Sequence, residues 1–308
     1  MDTRTDSVPV RLLETKGQGH FEEVEWLLPA LKPNQIRVKN IMTGVCRSDI
    51  DMMQGNFGPL PSHMQGHEGL GQVIAIGSLV GDVGVGSYVA TRGEPAYADM
   101  YNCDLKTYVK VPEPKPRYII EPVACAINLV YNVLPFSWVR TPKIAIYGSG
   151  FLAWVVYNYL HIAHMVSYDD IDVFGSSNAE IWKTAKVELR SQPTGNKYDV
   201  IIDLAGNASY LNDDVFEPGS LVIMGSEKHP PASTTFARLL WNSCKMIFPS
   251  PRAEQFHHCM QRAVWLVDRM PDIDSFWTKA YNRESEWHQA FEDGVNRPKG
   301  YGRGYIVW

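Results

Sequence analysis

The chain has 308 residues, 45% hydrophobic and 20% charged, with a formal net charge of -5. That is enough apolar material for two domains with real cores. The charge balance excludes a disordered acidic tail and the basic surface that nucleic-acid binding needs. Residues 1–19 are polar and mixed in charge, without the apolar core of a secretory signal. No apolar run approaches the roughly 20 residues of a membrane span. The expectation is a soluble cytoplasmic protein that engages neither membrane nor nucleic acid. The five cysteines (Cys46, Cys103, Cys125, Cys244 and Cys259) are odd in number and widely spaced, unlike a disulfide framework. With no Cys-x-x-Cys, a four-cysteine zinc lobe is excluded, but a catalytic metal site, which needs only one or two thiolates, is not.

In chain order, Val8 to Glu14 and Gln35 to Met42 have strand composition, with a turn at Lys32-Pro33-Asn34. Val73 to Gly77 and Val83 to Ala90 read as two strands joined by a glycine turn. Helical periodicity is nearly absent up to about residue 120. The first third therefore reads as a mostly-β, glycine-punctuated domain, a partly open barrel. The character then changes. Ile144 to Tyr147 is a short buried strand, Gly148-Ser149-Gly150 a turn, and a helical run of about fourteen residues follows. Ile171 to Phe174 is a strand and Ala179 to Leu189 a helix. Tyr198 to Asp203, Ser220 to Gly225 and Lys245 to Phe248 are further strands. Strands alternating with helices at this spacing predict a doubly wound parallel sheet of the Rossmann type. Two amphipathic helices, Gln255 to Met270 and Ser285 to Val295, and a strand over Gly304 to Trp308 form the tail. The division expected is 1–122 with 251–308 as a catalytic domain, and 123–250 as a dinucleotide-binding domain.

One set of residues carries metal chemistry. Cys46, in Gly44-Val45-Cys46-Arg47-Ser48-Asp49, and His67 and Glu68, in Gly66-His67-Glu68-Gly69-Leu70-Gly71, supply a thiol, an imidazole and a carboxylate. Catalytic zinc takes three such ligands and keeps a fourth position open. Glu121, in Glu121-Pro122-Val123-Ala124-Cys125, is a fourth candidate. Any one of these alone reads as a core thiol, a satisfied imidazole or a strand-end charge; together, among glycines, they read as a site.

A second set carries a nucleotide. Gly148-x-Gly150-x-x-Ala153 lies between a strand and a helix. The first glycine permits the tight turn, the second lets the backbone approach a pyrophosphate, and Ala153 allows close packing of helix on strand. Ser149, Phe151 and Leu152 are then cofactor contacts at the helix N-terminus, where free N–H groups favour anions. NAD binders place a carboxylate at the tip of the second strand. Here the tip is Gly175-Ser176-Ser177, and Asp172 falls two positions too early. A small hydroxyl-bearing loop tolerates a 2′-phosphate, and Lys183 is placed to neutralise it. NADP is the expected cofactor, ahead of NAD. Gly206 and Gly225, after the later strands, complete the expected cofactor contacts.

On these motifs the chain resembles the medium-chain dehydrogenase/reductase superfamily, in its zinc-dependent alcohol, polyol and threonine dehydrogenase branch. The resemblance covers nearly the whole chain, and Gly66-His67-Glu68-Gly69-Leu70-Gly71-Gln72-Val73 is its most specific part. Val85-Gly86-Ser87-Tyr88-Val89 resembles the family's valine-glycine-aspartate turn with Ser87 in place of aspartate. Glu121-Pro122 resembles the pair found in the polyol and glucose dehydrogenase subgroup. The resemblance implies a GroES-like β-barrel catalytic domain beside the Rossmann domain, with one zinc ion held by Cys46 and His67. Glu68 or Glu121 would be the third or exchanging ligand. It implies Ser48 as the hydroxyl that passes the substrate proton, with Asp51 standing where some relatives carry a relay histidine. It also implies a homodimer or homotetramer, associating through the sheet edge near Lys245 to Phe248. The segment Ala90 to Tyr108 is short and holds only Cys103, so the second-zinc lobe of many relatives is absent.

The leading expectation is thus a zinc-dependent dehydrogenase moving hydride between NADP(H) and a small alcohol, polyol or sugar, or the matching carbonyl. Two alternatives stand beside it: a zinc-free quinone or enone reductase, and a non-catalytic nucleotide-binding protein of the same fold. Phe57, His63 and Glu94 are assigned by position to the substrate pocket.

Overall fold

The computed structural model describes residues 7–56, 65–93, 95–131, 141–193, 195–206, 209–226, 237–250 and 253–308. β1 (Val8–Glu14) and β2 (Glu22–Leu28) pair antiparallel as a small two-stranded sheet. β3 (Gln35–Gly44) is followed by α1 (Arg47–Met53) and β4 (Gly69–Ile76). β5 (Tyr88–Thr91), β6 (Met100–Asp104) and β7 (Tyr108–Val111) complete the stretch. β3 is the spine of this sheet, antiparallel to both β4 and β6. β4 in turn pairs β5, and β5 pairs β7. From Gln72 on, burial alternates along β4 and puts Val73 with Val38, Val89, Tyr101 and Tyr108 in one core, as half-buried antiparallel strands require.

Two details differ from expectation. α1 is a helix inside the β-rich third; at seven residues it is under two turns, too short for a periodic signature, and it is anchored by buried Ile50, Met52 and Met53. The expected strand over Val83 to Ala90 begins only at Tyr88, because Gly86 turns the chain at φ 91°.

After α2 (Glu121–Tyr131) comes β8 (Ile144–Tyr147), buried along its whole length, then α3 (Phe151–His164) and β9 (Ile171–Phe174). α4 (Ala179–Thr184), β10 (Tyr198–Asp203), β11 (Phe216–Met224), α5 (Ala237–Trp241) and β12 (Lys245–Ile247) follow. The sheet is parallel in the order β12-β11-β10-β8-β9. Its central strands β8 and β10 are buried along their whole length, as strands covered on both faces are. This is the doubly wound order 3-2-1-4-5-6 without a full third strand. The helix expected over Ala179 to Leu189 stops at Thr184. Lys186 then takes the left-handed conformation, and the chain turns back so that Arg190 makes a single parallel bridge with Phe174.

The tail consists of α6 (Phe256–Val267), β13 (Trp277–Asn282), α7 (Trp287–Asn296) and β14 (Arg303–Val307). β14 lies antiparallel on β3, with Tyr305 opposite Gly44, and β13 adds parallel to β14. The chain divides into one compact unit of Met1–Pro122, Met260–Asp268 and Asp272–Trp308, and a second of Val123–Cys259 and Arg269–Pro271. Among the described residues no helix is long and apolar enough to cross a membrane.

Candidate active site

The register of β3 on β4 builds the candidate metal centre. Thr43 faces Gly69, and the Gly44 N–H donates to the Glu68 carbonyl at 3.0 Å. The residues just past the end of β3 therefore meet those just before β4. Cys46 caps the N-terminus of α1 there, opposite His67 and Glu68. One donor atom from each of Cys46, His67 and Glu68 lies within 4.8 Å of the others. Tetrahedral zinc at its usual bond lengths spaces its ligands about 3.5 Å apart, so sulfur, nitrogen and oxygen are of the right kind and near the right separation. The residues present fit a zinc ion.

The glycines around the centre follow from this crowding. A Cβ on Gly44 would lie 2.1 Å from a Glu68 oxygen, and one on Gly69 2.2 Å from the Tyr101 hydroxyl. Gly66 sits at φ 90°, and a Cβ there would fall 2.5 Å from the Tyr97 nitrogen.

Asp49 organises the centre from behind. Its carboxylate accepts from the Cys46 N–H at 3.1 Å and the Tyr97 hydroxyl at 2.8 Å, and lies 3.4 Å from His67 Nδ1. With Nδ1 facing Asp49, the other ring nitrogen is the one left for a metal. Burial pulls the imidazole pKa down, but the charge and hydrogen bond of Asp49, with Cys46 and Glu121, carry it well above its ordinary value. Burial pushes the Cys46 thiol up, and the Glu68 charge adds to this against the opposing effect of His67.

The other expected residues are distributed unevenly. Ser48 Oγ donates to Cys46 Sγ at 3.2 Å, so its hydroxyl belongs to the centre. Asp51 is buried on α1 with Arg47 3.4 Å away and is not one of the three clustered donors. Glu121 is buried at the start of α2 and acts on His67 through its charge, but it too lies outside that cluster. Phe57, His63 and Glu94 lie outside the described residues. The residue that the motifs did not reveal is Arg303 of β14: its Nη2 donates to both oxygens of Glu68.

In the second unit, Gly148 takes φ 127° between β8 and α3, a conformation open to glycine. A Cβ on Gly175 would fall 2.5 Å from Ser149 Oγ, so the loop after β9 folds directly onto this turn. Ser149 and Ser177 share a hydrogen bond of 2.9 Å between hydroxyls. Phe151 and Leu152 open α3, and Ser176 and Ser177 are exposed at the β9 tip. Lys183 is exposed and paired with Glu180 at 2.9 Å. Asp172 accepts from Tyr198 at 2.6 Å and lies 2.8 Å from Arg190, committed within the strand rather than presented at the tip. Gly206 donates its N–H to Asp203 Oδ1 at 2.8 Å, and Gly225 N donates to the Asp203 carbonyl at 2.8 Å, so both are tied to the end of β10.

Residues 32–113 match the alcohol dehydrogenase GroES-like domain family. Glucose 1-dehydrogenase 2 of Vulcanisaeta moutnovskia is 36% identical over 87 residues, 26% of this chain and 24% of that protein. Mitochondrial enoyl-[acyl-carrier-protein] reductase of Rattus norvegicus is 42% identical over 64 residues, 20% of this chain and 17% of that protein. These two matches span a quarter or less of the relatives' own lengths. The alcohol dehydrogenase of Schizosaccharomyces pombe is 27% identical over 278 residues, 74% of this chain and 77% of that protein. The solved structure of L-idonate 5-dehydrogenase from Escherichia coli superposes with a TM-score of 0.79 at 15% identity, covering 98% of this chain and 99% of that one. The fold matches that of this solved dehydrogenase: a stretch that fits the GroES-like domain family and a parallel Rossmann-type sheet. The resemblance drawn from the motifs holds at the level of domain and fold.

Proposed function

We propose that the protein is a zinc-dependent oxidoreductase that exchanges hydride between NADP(H) and a small alcohol, polyol or sugar, or the matching carbonyl. The observation that carries this reading is the convergence of Cys46, His67 and Glu68. Cys46 and His67 are the zinc ligands, and Glu68 or Glu121 is the third. A zinc ion held there supplies a Lewis acid for a substrate oxygen. The chain's own residues do the rest. Asp49 orients His67, and Ser48, whose hydroxyl donates to the Cys46 sulfur, is the candidate to accept and pass on a substrate proton. Asp51, one turn along α1, is the candidate to continue that relay.

Gly148, Ser149, Gly150, Phe151 and Leu152 form the pyrophosphate turn. NADP is favoured over NAD because Gly175, Ser176 and Ser177 bring no carboxylate to the β9 tip while Asp172 is held by Arg190 and Tyr198. Lys183 would have to exchange Glu180 for a 2′-phosphate. Exposed Leu240, Trp241 and Phe248, beside β12, support association of two or four copies through that edge. A cytoplasmic location belongs to the same proposal.

The match to an enoyl reductase favours a second reading, a zinc-free reductase of activated double bonds. One experiment separates the two. Purified protein is analysed for metal, and reduced-nicotinamide absorbance is followed with alcohols, carbonyls and enones, using NADP and NAD. Zinc with alcohol–carbonyl turnover supports the first reading, and enone reduction without zinc supports the second. Bound nucleotide without turnover of any of these sinks both.

A further inference from the structure

We propose that Trp182 is a positioning residue for the dinucleotide, acting through the Ser149–Gly150 peptide. The inference rests on reading Gly148-Ser149-Gly150 as the pyrophosphate turn. Trp182 is fully buried on α4, packed edge-on against Trp154 and Tyr157 of α3 with ring centroids 4.9 and 5.4 Å apart. Its indole N–H donates to the Ser149 carbonyl at 2.9 Å, and the Asn178 side chain donates to the same oxygen at 3.2 Å.

A trans peptide is planar, so its carbonyl and the following N–H point in opposite directions. With the Ser149 carbonyl drawn toward α4, the Gly150 N–H points away from it. A Cβ built on Gly150 meets no atom within 4 Å, so space is open beside that residue, whereas the same test on Gly175 runs into Ser149. An anion bound at this turn would meet the Gly150 N–H together with the first amides of α3. A flipped peptide would present a carbonyl oxygen to that anion. Indole nitrogen is a donor only, so a flipped peptide would set its N–H against the N–H of Trp182 and leave both without an acceptor. Trp182 thereby selects the one peptide orientation that receives a phosphate.

The test is calorimetric titration of the full-length chain with NADP and with adenosine 2′-monophosphate, which lacks the pyrophosphate, alongside thermal unfolding. Trp182→Phe removes the donor. Should that variant fold poorly, replacing the Trp182 indole by benzothiophene keeps the shape and removes only the N–H. The expected result is NADP affinity about five- to ten-fold weaker, the loss of one such hydrogen bond, with adenosine 2′-monophosphate affinity unchanged. Unaltered NADP affinity in a folded variant overturns the role of Trp182, and so does equal weakening of both ligands. A wild-type chain that binds neither NADP nor NAD overturns the reading of the turn itself, and the role of Trp182 with it.

Discussion

Arg303 grips both carboxylate oxygens of Glu68, joining the last strand of the chain to the loop that holds His67. Glu68 is fully buried, and Arg303 meets its carboxylate there. The guanidinium also stacks over Trp277, 5.0 Å from the ring centroid. Removing Arg303 strands a buried carboxylate, which typically destabilises a fold by about 3–5 kcal/mol. Arg303→Ala should show a loss of this size in urea unfolding. Adding Glu68→Gln should recover part of it, since the charge left unpaired is then gone. Equal stability of wild type and Arg303→Ala would contradict the pairing.

Gly44 is required by the same carboxylate. The methyl of Gly44→Ala would sit 2.1 Å from a Glu68 oxygen, so either the side chain or the strand end must move. Overpacking of this kind destabilises by about 1–3 kcal/mol. The variant should unfold at a lower urea midpoint and bind zinc more weakly, because Glu68 is one of the three clustered donors and the end of β3 borders them. Unchanged values of both would show that the strand end yields freely.

Asp49 contributes without belonging to the donor cluster. It fixes the Cys46 amide, the Tyr97 hydroxyl and one nitrogen of His67. Asp49→Asn keeps the size but puts an amide donor where one oxygen stood. Loss of such a supporting partner typically weakens metal binding 10–100-fold, roughly. A chelator competition titration of the folded variant reads this directly, and an affinity equal to that of wild type would remove Asp49 from the centre.

Asp293 gives a pH dependence with a definite sign. Its carboxylate accepts from Lys279 at 2.6 Å, Tyr281 at 2.6 Å and Gln289 at 2.8 Å. Burial pushes its pKa up, but these donors outweigh it and hold the group below the ordinary value of 3.8. A depressed carboxylate contributes its stability above the unfolded pKa and loses it as pH falls through the folded one. At neutral pH, Asp293→Asn should be less stable than wild type by about 1–3 kcal/mol. The gap should narrow as unfolding is repeated below pH 4, roughly the unfolded pKa. A gap that widens in acid would contradict the assignment.

The donors were legible because their chemistry restricts residue type and because their glycine neighbours are dictated by crowding. Gly44, Gly66 and Gly69 frame the donors in the sequence, and each marks a close approach in the structure. Arg303 could not be read in advance. It lies 235 residues from Glu68 and arrives through the pairing of β14 on β3, a long-range contact that no local pattern encodes. The strand–turn–helix around Gly148 was legible from its apolar run and glycines. The early end of α4 was not, since nothing before Lys186 breaks the helical pattern. α1 escaped notice for a different reason: under two turns long, it is held by tertiary burial of Ile50 and Met53 rather than by propensity.

Zinc stoichiometry of the purified chain, set beside that of Cys46→Ser and His67→Ala, tests the central claim most directly. One zinc per wild-type chain is predicted, with its loss in both folded variants. A metal-free wild-type chain after zinc supplementation, or full retention of zinc without Cys46 and His67, would contradict it.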